Sequence, residues 1–107
     1  MISLKPGVKL TGLAPQIVLA LLIVHEIYRA ASIPCVVTSA NDSQHGENSL
    51  HSRDGLCRAV DVRTKTWLLD KQQLRIDVKA ALGDDFDVVL EHLGEDNEHL
   101  HVEYDPK

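Results

Sequence analysis

Aromatic side chains are nearly missing from this chain: one Trp, one Phe and two Tyr occur among 107 residues. Its core must therefore be aliphatic, and a hydrophobic share of 44% supplies enough Val, Leu, Ile and Ala for one domain, residues 1–107. Long apolar runs are lacking too. The most apolar stretch, "IVLALLIV" from Ile17 to Val24, has eight residues, against the ~20 that a membrane-crossing helix needs. No membrane partner is expected. The opening "MISLKPGVKL" has no charged stretch leading directly into an apolar one, so no secretory leader is expected either.

Positive charge is also scarce. Eleven Lys and Arg stand against 16 Asp and Glu, a formal net charge of −5. No basic stripe follows the chain, which argues against a nucleic-acid partner. The two cysteines, Cys35 and Cys57, lie 22 positions apart without CxxC spacing. They read as small buried thiols and do not fix a compartment.

What is present has a clear order. Gly12 and Pro15 bracket a helix start, and from Ala14 to about Ala31 apolar residues dominate nearly all round, which predicts a helix in the middle of the domain. "IPCVVTS" (Ile33 to Ser39) reads as a strand. The next 19 residues, through Arg58, are mostly polar and aperiodic. A loop above ~15 residues in so small a domain points to function or disorder, and His45 and His51 within it favour function. "AVDVR" is the next strand, with Val60 and Val62 on one face and Ala59, Asp61 and Arg63 on the other. Thr64 to Asp85 predicts an amphipathic helix with Trp67, Leu68, Leu74, Val78, Ala81 and Leu82 as its apolar stripe and Gly83 closing it. "FDVVLEHLG" and "EHLHVEY" are two further strands around the turn "GEDN". With no repeat and no linker, the expectation is an α+β domain, a small antiparallel sheet packed against helices.

The polar residues of these strands suggest chemistry. Asp61 and His101 each interrupt a strand that otherwise reads as core, and His51 lies in the loop that feeds the first of them. Two imidazoles and a carboxylate form a zinc ligand set with a fourth position open. Glu98, three residues before His101, is placed as a general base for an attacking water. Residues three apart on an ideal strand face opposite sides, so this role requires the turn "GEDN" to re-aim Glu98. Glu91 is its rival as the base, and Asp54 is Asp61's rival as a ligand. His92 reads as a surface residue, and Asp84, Asp85 and Asp87 as a solvated turn and strand face.

"SLH", "CRAVDVRT" and "EHLHVEYDP" together resemble the peptidase M15 family, which includes D-alanyl-D-alanine carboxypeptidases and phage L-alanyl-D-glutamate endolysins and shares its fold with the Hedgehog signalling domain. The match is to SxH (Ser49, His51), to the end of GxAxD (Ala59, Asp61) and to a carboxylate three residues before a final His (Glu98, His101). The family's histidine-to-aspartate interval of seven is ten here, as a three-residue insertion in "SRDGLC" would produce. The resemblance implies zinc held by His51, Asp61 and His101, Glu98 as catalytic base, and hydrolysis of peptide bonds in peptidoglycan stem peptides. Ser49, His45, Arg58, Arg63 and His99 are the candidates for substrate contact. A monomer is expected, phage-encoded or cytoplasmic, acting on the cell wall after release. The alternatives are a non-catalytic zinc-binding interaction module and a degenerate phage structural protein on the same fold.

Overall fold

Strict alternation in the two central strands decides which side of the sheet becomes core. The computed structural model describes residues 1–40 and 56–106. In it β1 (Ile2–Leu4), α1 (Pro15–Ala30), β2 (Cys35–Ser39), β3 (Ala59–Arg63), α2 (Lys71–Leu82), β4 (Phe86–Glu91) and β5 (His99–Tyr104) form a five-stranded sheet in the order β1-β2-β3-β5-β4 with two helices. The domain is α+β. The sheet is mixed rather than wholly antiparallel, because β1 pairs in parallel with β2 while the other three pairings are antiparallel. β1 escapes a sequence reading because three residues at an edge are too few to show a period.

Val60 and Val62 of β3 and Leu100 and Val102 of β5 are fully buried, packed with Ile17, Val24 and Tyr28 of α1 and Leu74 and Val78 of α2. The intervening residues Asp61, Arg63, His99, His101 and Glu103 are only half-buried and form the opposite face. Backbone pairing sets Asp61 directly against His101, Arg63 against His99 and Ala59 against Glu103. On the other side of β5, Glu91 pairs with His99. The sheet thus has a dry side under the helices and a polar side made from alternate residues of the same strands.

The helices depart from the expectations in two ways. α1 buries Ile17, Ala20, Leu21, Val24 and Tyr28, a single stripe at helical spacing, and leaves Val18, Leu19 and Leu22 exposed. With only two helices on one sheet, nothing in the described structure covers the outer side of α1, so all-round apolarity did not mean all-round burial. α2 is shorter than the periodicity suggested. It begins at Lys71, where the Asp70 carboxylate accepts hydrogen bonds from the Gln72 and Gln73 amides at 2.9 and 3.1 Å, a standard N-cap. Trp67 is buried ahead of the helix, its ring 4.9 Å from that of Tyr28, while Leu68 is exposed. Gly83 closes the helix at φ 91°, a conformation costly for residues with a Cβ.

Both cysteines are buried thiols. Among the described residues no helix is long and apolar enough to cross a membrane.

Leu100 has no exposed surface and stands at the centre of the core. Leu100→Ala is expected to destabilise the domain by about 2–5 kcal/mol, measured by denaturant unfolding. Leu68→Ala, on an exposed side chain, is expected to change stability by less than about 0.5 kcal/mol.

Candidate metal centre

Three strands contribute to one polar cluster. Asp61 from β3 lies beside His101 from β5, with Oδ1 2.7 Å from Nδ1. The other ring nitrogen of His101 is 2.9 Å from Glu103 Oε1. Ionised carboxylates only accept hydrogen bonds, so both ring nitrogens donate in this arrangement. Burial works against a charged imidazole, but the bonds to Asp61 and Glu103 outweigh it and raise the His101 pKa to about 9. His99 lies two residues earlier on the same face. Its Nε2 is 2.9 Å from Glu91 Oε1 and 3.6 Å from Asp61 Oδ2, and its Nδ1 is 2.7 Å from the Asn97 carbonyl oxygen. Glu91 Oε1 also comes within 3.8 Å of His101 Nδ1.

Two imidazoles and three carboxylates therefore meet on one patch of sheet. The ligand atoms of Asp61, Glu91 and His99 all lie within 4.8 Å of one another. These side chains could hold a metal ion. Each imidazole turns one nitrogen inward and has the other anchored by an acceptor behind it, the way ligating histidines are oriented. A cavity of about 200 Å³ opens beside them, lined in part by Lys5, Arg63, Lys65, Asp61, His99 and Glu98.

Glu98 follows a different course. It precedes β5, and its carboxylate is buried and fully engaged. Lys71 Nζ donates to both oxygens at 2.9 and 2.7 Å, the Thr64 hydroxyl to Oε2 at 2.7 Å and the Gly94 amide to Oε1 at 3.0 Å. Burial alone would raise its pKa, but Lys71, Gly94 and Thr64 together hold the carboxyl down at about 2. The arrangement fastens the β4–β5 turn to the end of β3 and the start of α2. Glu98 is nonetheless part of the wall of the cavity that Asp61 and His99 share.

Of the residues singled out in the sequence, Asp61, Glu91, His99, His101 and Arg63 come together at this face. Arg58 does not: its guanidinium sits over the Tyr104 ring, 5.4 Å from the centroid, and does not line the cavity beside Asp61. His45, Ser49, His51 and Asp54 lie outside the described residues. His92 is exposed, with Nδ1 3.1 Å from Glu95. Glu103 was not picked out by sequence reasoning as a functional residue. The signal was available, since His101 and Glu103 alternate on one strand face and i, i+2 neighbours on a strand stand side by side.

The Glu98 fastening has a pH signature. A carboxyl whose folded pKa lies below its unfolded value contributes stability above the unfolded value, here 4.5, and loses it as pH falls toward about 2. Glu98→Gln should cost roughly 1–3 kcal/mol at pH 7, and the gap from wild type should narrow as pH falls from 4.5 to 2. Parallel stability curves over that range would show that the carboxylate charge is not what Lys71 and its companions hold.

Comparison of the chain with protein-family models, with curated proteins and with solved structures found no match. The site has to be read from its own geometry.

Proposed function

We propose that this protein is a zinc-dependent peptidase that hydrolyses peptide bonds in the stem peptides of peptidoglycan, as an endolysin or a D,D-carboxypeptidase. The observation that carries the metal part is the Asp61–His101 pair, 2.7 Å apart, with Glu103 anchoring the far side of the imidazole. Imidazole nitrogen together with carboxylate oxygen suits zinc better than magnesium or calcium. Asp61 and His101 would hold the ion, with His51 as the third ligand implied by the resemblance to the M15 peptidases. The substrate class rests on that resemblance alone.

When bound, zinc supplies polarisation of the scissile carbonyl and acidification of the attacking water. The protein's own groups do the rest. Without the ion, Asp61 holds His101 through Nδ1; with it, that nitrogen would face the ion, and Glu103 would fix the tilt of the ring from Nε2. Arg63, in the cavity wall, offers a fork for a substrate carboxylate, and Lys5 and Lys65 add positive charge around the same opening. Glu98 is the proposed proton carrier: it takes a proton from the attacking water and returns it to the leaving amine. What supports that role is the resemblance, together with the place of Glu98 in the cavity wall; its carboxylate oxygens themselves face Thr64, Lys71 and Gly94. Its bond to Lys71 weakens it as a base, so Lys71 has to turn away when the proton moves. The Lys71 side chain is 28% exposed.

The test is zinc content together with release of fragments from purified peptidoglycan, for wild type, Glu98→Gln and Lys71→Met. The expected result is bound zinc in all three, cleavage reduced at least about a hundredfold in Glu98→Gln, and activity kept in Lys71→Met, which leaves the carboxylate in place. Full activity in Glu98→Gln would make Glu98 a structural fastening only. Zinc without cleavage in any form would favour the non-catalytic binding module.

A further inference from the structure

Asp61 faces two histidines with two different oxygens. His101 Nδ1 meets Oδ1 at 2.7 Å, while His99 Nε2 faces Oδ2 at 3.6 Å and Glu91 Oε1 at 2.9 Å. A tetrahedral zinc ion with ligand bonds of 2.0–2.2 Å holds its donors about 3.4 Å apart. The two separations around His99 bracket that value. The three residues thus offer a second donor set that uses none of the His101 atoms and needs none of the residues of the long loop.

The orientation of His99 is fixed from behind. The Asn97 carbonyl, 2.7 Å from Nδ1, can only accept a hydrogen bond, so Nδ1 carries hydrogen. Nε2 is then the nitrogen turned toward the carboxylates. His101 is held in the same manner with the nitrogens exchanged, Glu103 behind Nε2 and Asp61 before Nδ1. A backing acceptor is how ligating imidazoles are aimed, and here it occurs twice, on neighbouring residues of one strand face. Burial is graded as a site open to solvent requires. The side chains of His99 and Asp61 are 14% and 15% exposed, and that of Glu91, on the edge strand, is 44% exposed. The adjoining acidic group, Asp87, Glu103 and Asp105, meets this cluster through the Glu103–His101 bond but has no imidazole among its own three members, and no such argument applies to it.

We infer that Asp61 bridges two divalent transition-metal ions: one shared with His101, and a second held by Asp61 Oδ2, Glu91 Oε1 and His99 Nε2. The inference builds on Asp61 and His101 as metal ligands in the proposed function. Ions sharing one carboxylate lie about 3.5–4 Å apart, the spacing of two-metal hydrolases. The mixed nitrogen and oxygen donors suit zinc or manganese. Glu91 is then a ligand and not a rival base, and the second ion balances two carboxylates that otherwise crowd one imidazole.

Metal content decides the matter. The full chain is saturated with zinc and freed of excess by gel filtration, and its zinc per chain is measured by plasma mass spectrometry for wild type, Glu91→Gln, His99→Gln and His101→Gln. Circular dichroism checks each fold. Glu91→Gln is isosteric and lies at the rim, so it carries the test if a histidine variant does not fold. The expected content is two zinc ions in wild type and one in each variant, with manganese-loaded wild type giving an exchange-coupled paramagnetic resonance signal that Glu91→Gln abolishes. One zinc kept in Glu91→Gln and His99→Gln but lost in His101→Gln overturns the second position and leaves the proposed function standing. One zinc lost in Glu91→Gln but kept in His101→Gln overturns both the bridged pair and His101 as a ligand. Two ions in every variant would place them elsewhere and overturn the inference, and no zinc at all overturns it together with the function it builds on.

Discussion

The antiparallel register between β3 and β5 is the constraint on which the rest depends. Pairing Asp61 with His101 puts Val60 and Val62 against Val102 and Leu100 on the other face, and all four of those side chains have no exposed surface. A slip of one residue would turn the apolar set outward and send Asp61 and His101 into the core. Burial of the aliphatic face and convergence of the polar face are therefore one event. An unpaired carboxylate in the middle of such a sheet would be costly. Here the partner that satisfies it arrives with the strand that completes the core.

Glu98 and the carboxylates around Asp61 are handled oppositely. Glu98 is buried and neutralised at once by Lys71, with Thr64 and Gly94 completing its hydrogen bonds, so it binds three chain segments together. Asp61, Glu91 and Glu103 have no Lys or Arg among the partners described for them. Their partners are imidazoles, which hold charge only by keeping a proton or by exchanging it for a metal ion. The contrast is between a carboxylate held by a fixed cation and carboxylates held by imidazoles. It also identifies the weak point of Glu98 as a base: the groups that keep it ionised also keep its affinity for protons low.

Much of this was legible in the sequence, for identifiable reasons. The β3 and β5 faces follow from a strict period of two, and Asp61 and His101 stood out as polar residues in apolar strands. The helix from Pro15 and the closing glycine Gly83 also follow from local rules. Other features depended on tertiary context. β1 is three residues at an edge, and Asp70 cut α2 short by capping it where the apolar pattern ran on. Arg58 stands three residues before Asp61 and Arg63 two after it, and only Arg63 lies on its face near the cavity, while Arg58, just ahead of β3, sits over Tyr104. The side chain of Glu98 could not be placed from spacing, because its direction is set by Lys71, a residue 27 positions away in sequence.

The central claim, that Asp61 and His101 hold a metal between them, is tested most directly by diffraction at the zinc absorption edge from crystals grown with zinc. The account predicts an anomalous peak about 2.0–2.2 Å from an Asp61 carboxylate oxygen and from His101 Nδ1, with His101 Nε2 still bonded to Glu103. An undisturbed Asp61–His101 hydrogen bond at 2.7 Å in zinc-saturated crystals, with no peak beside it, would contradict it.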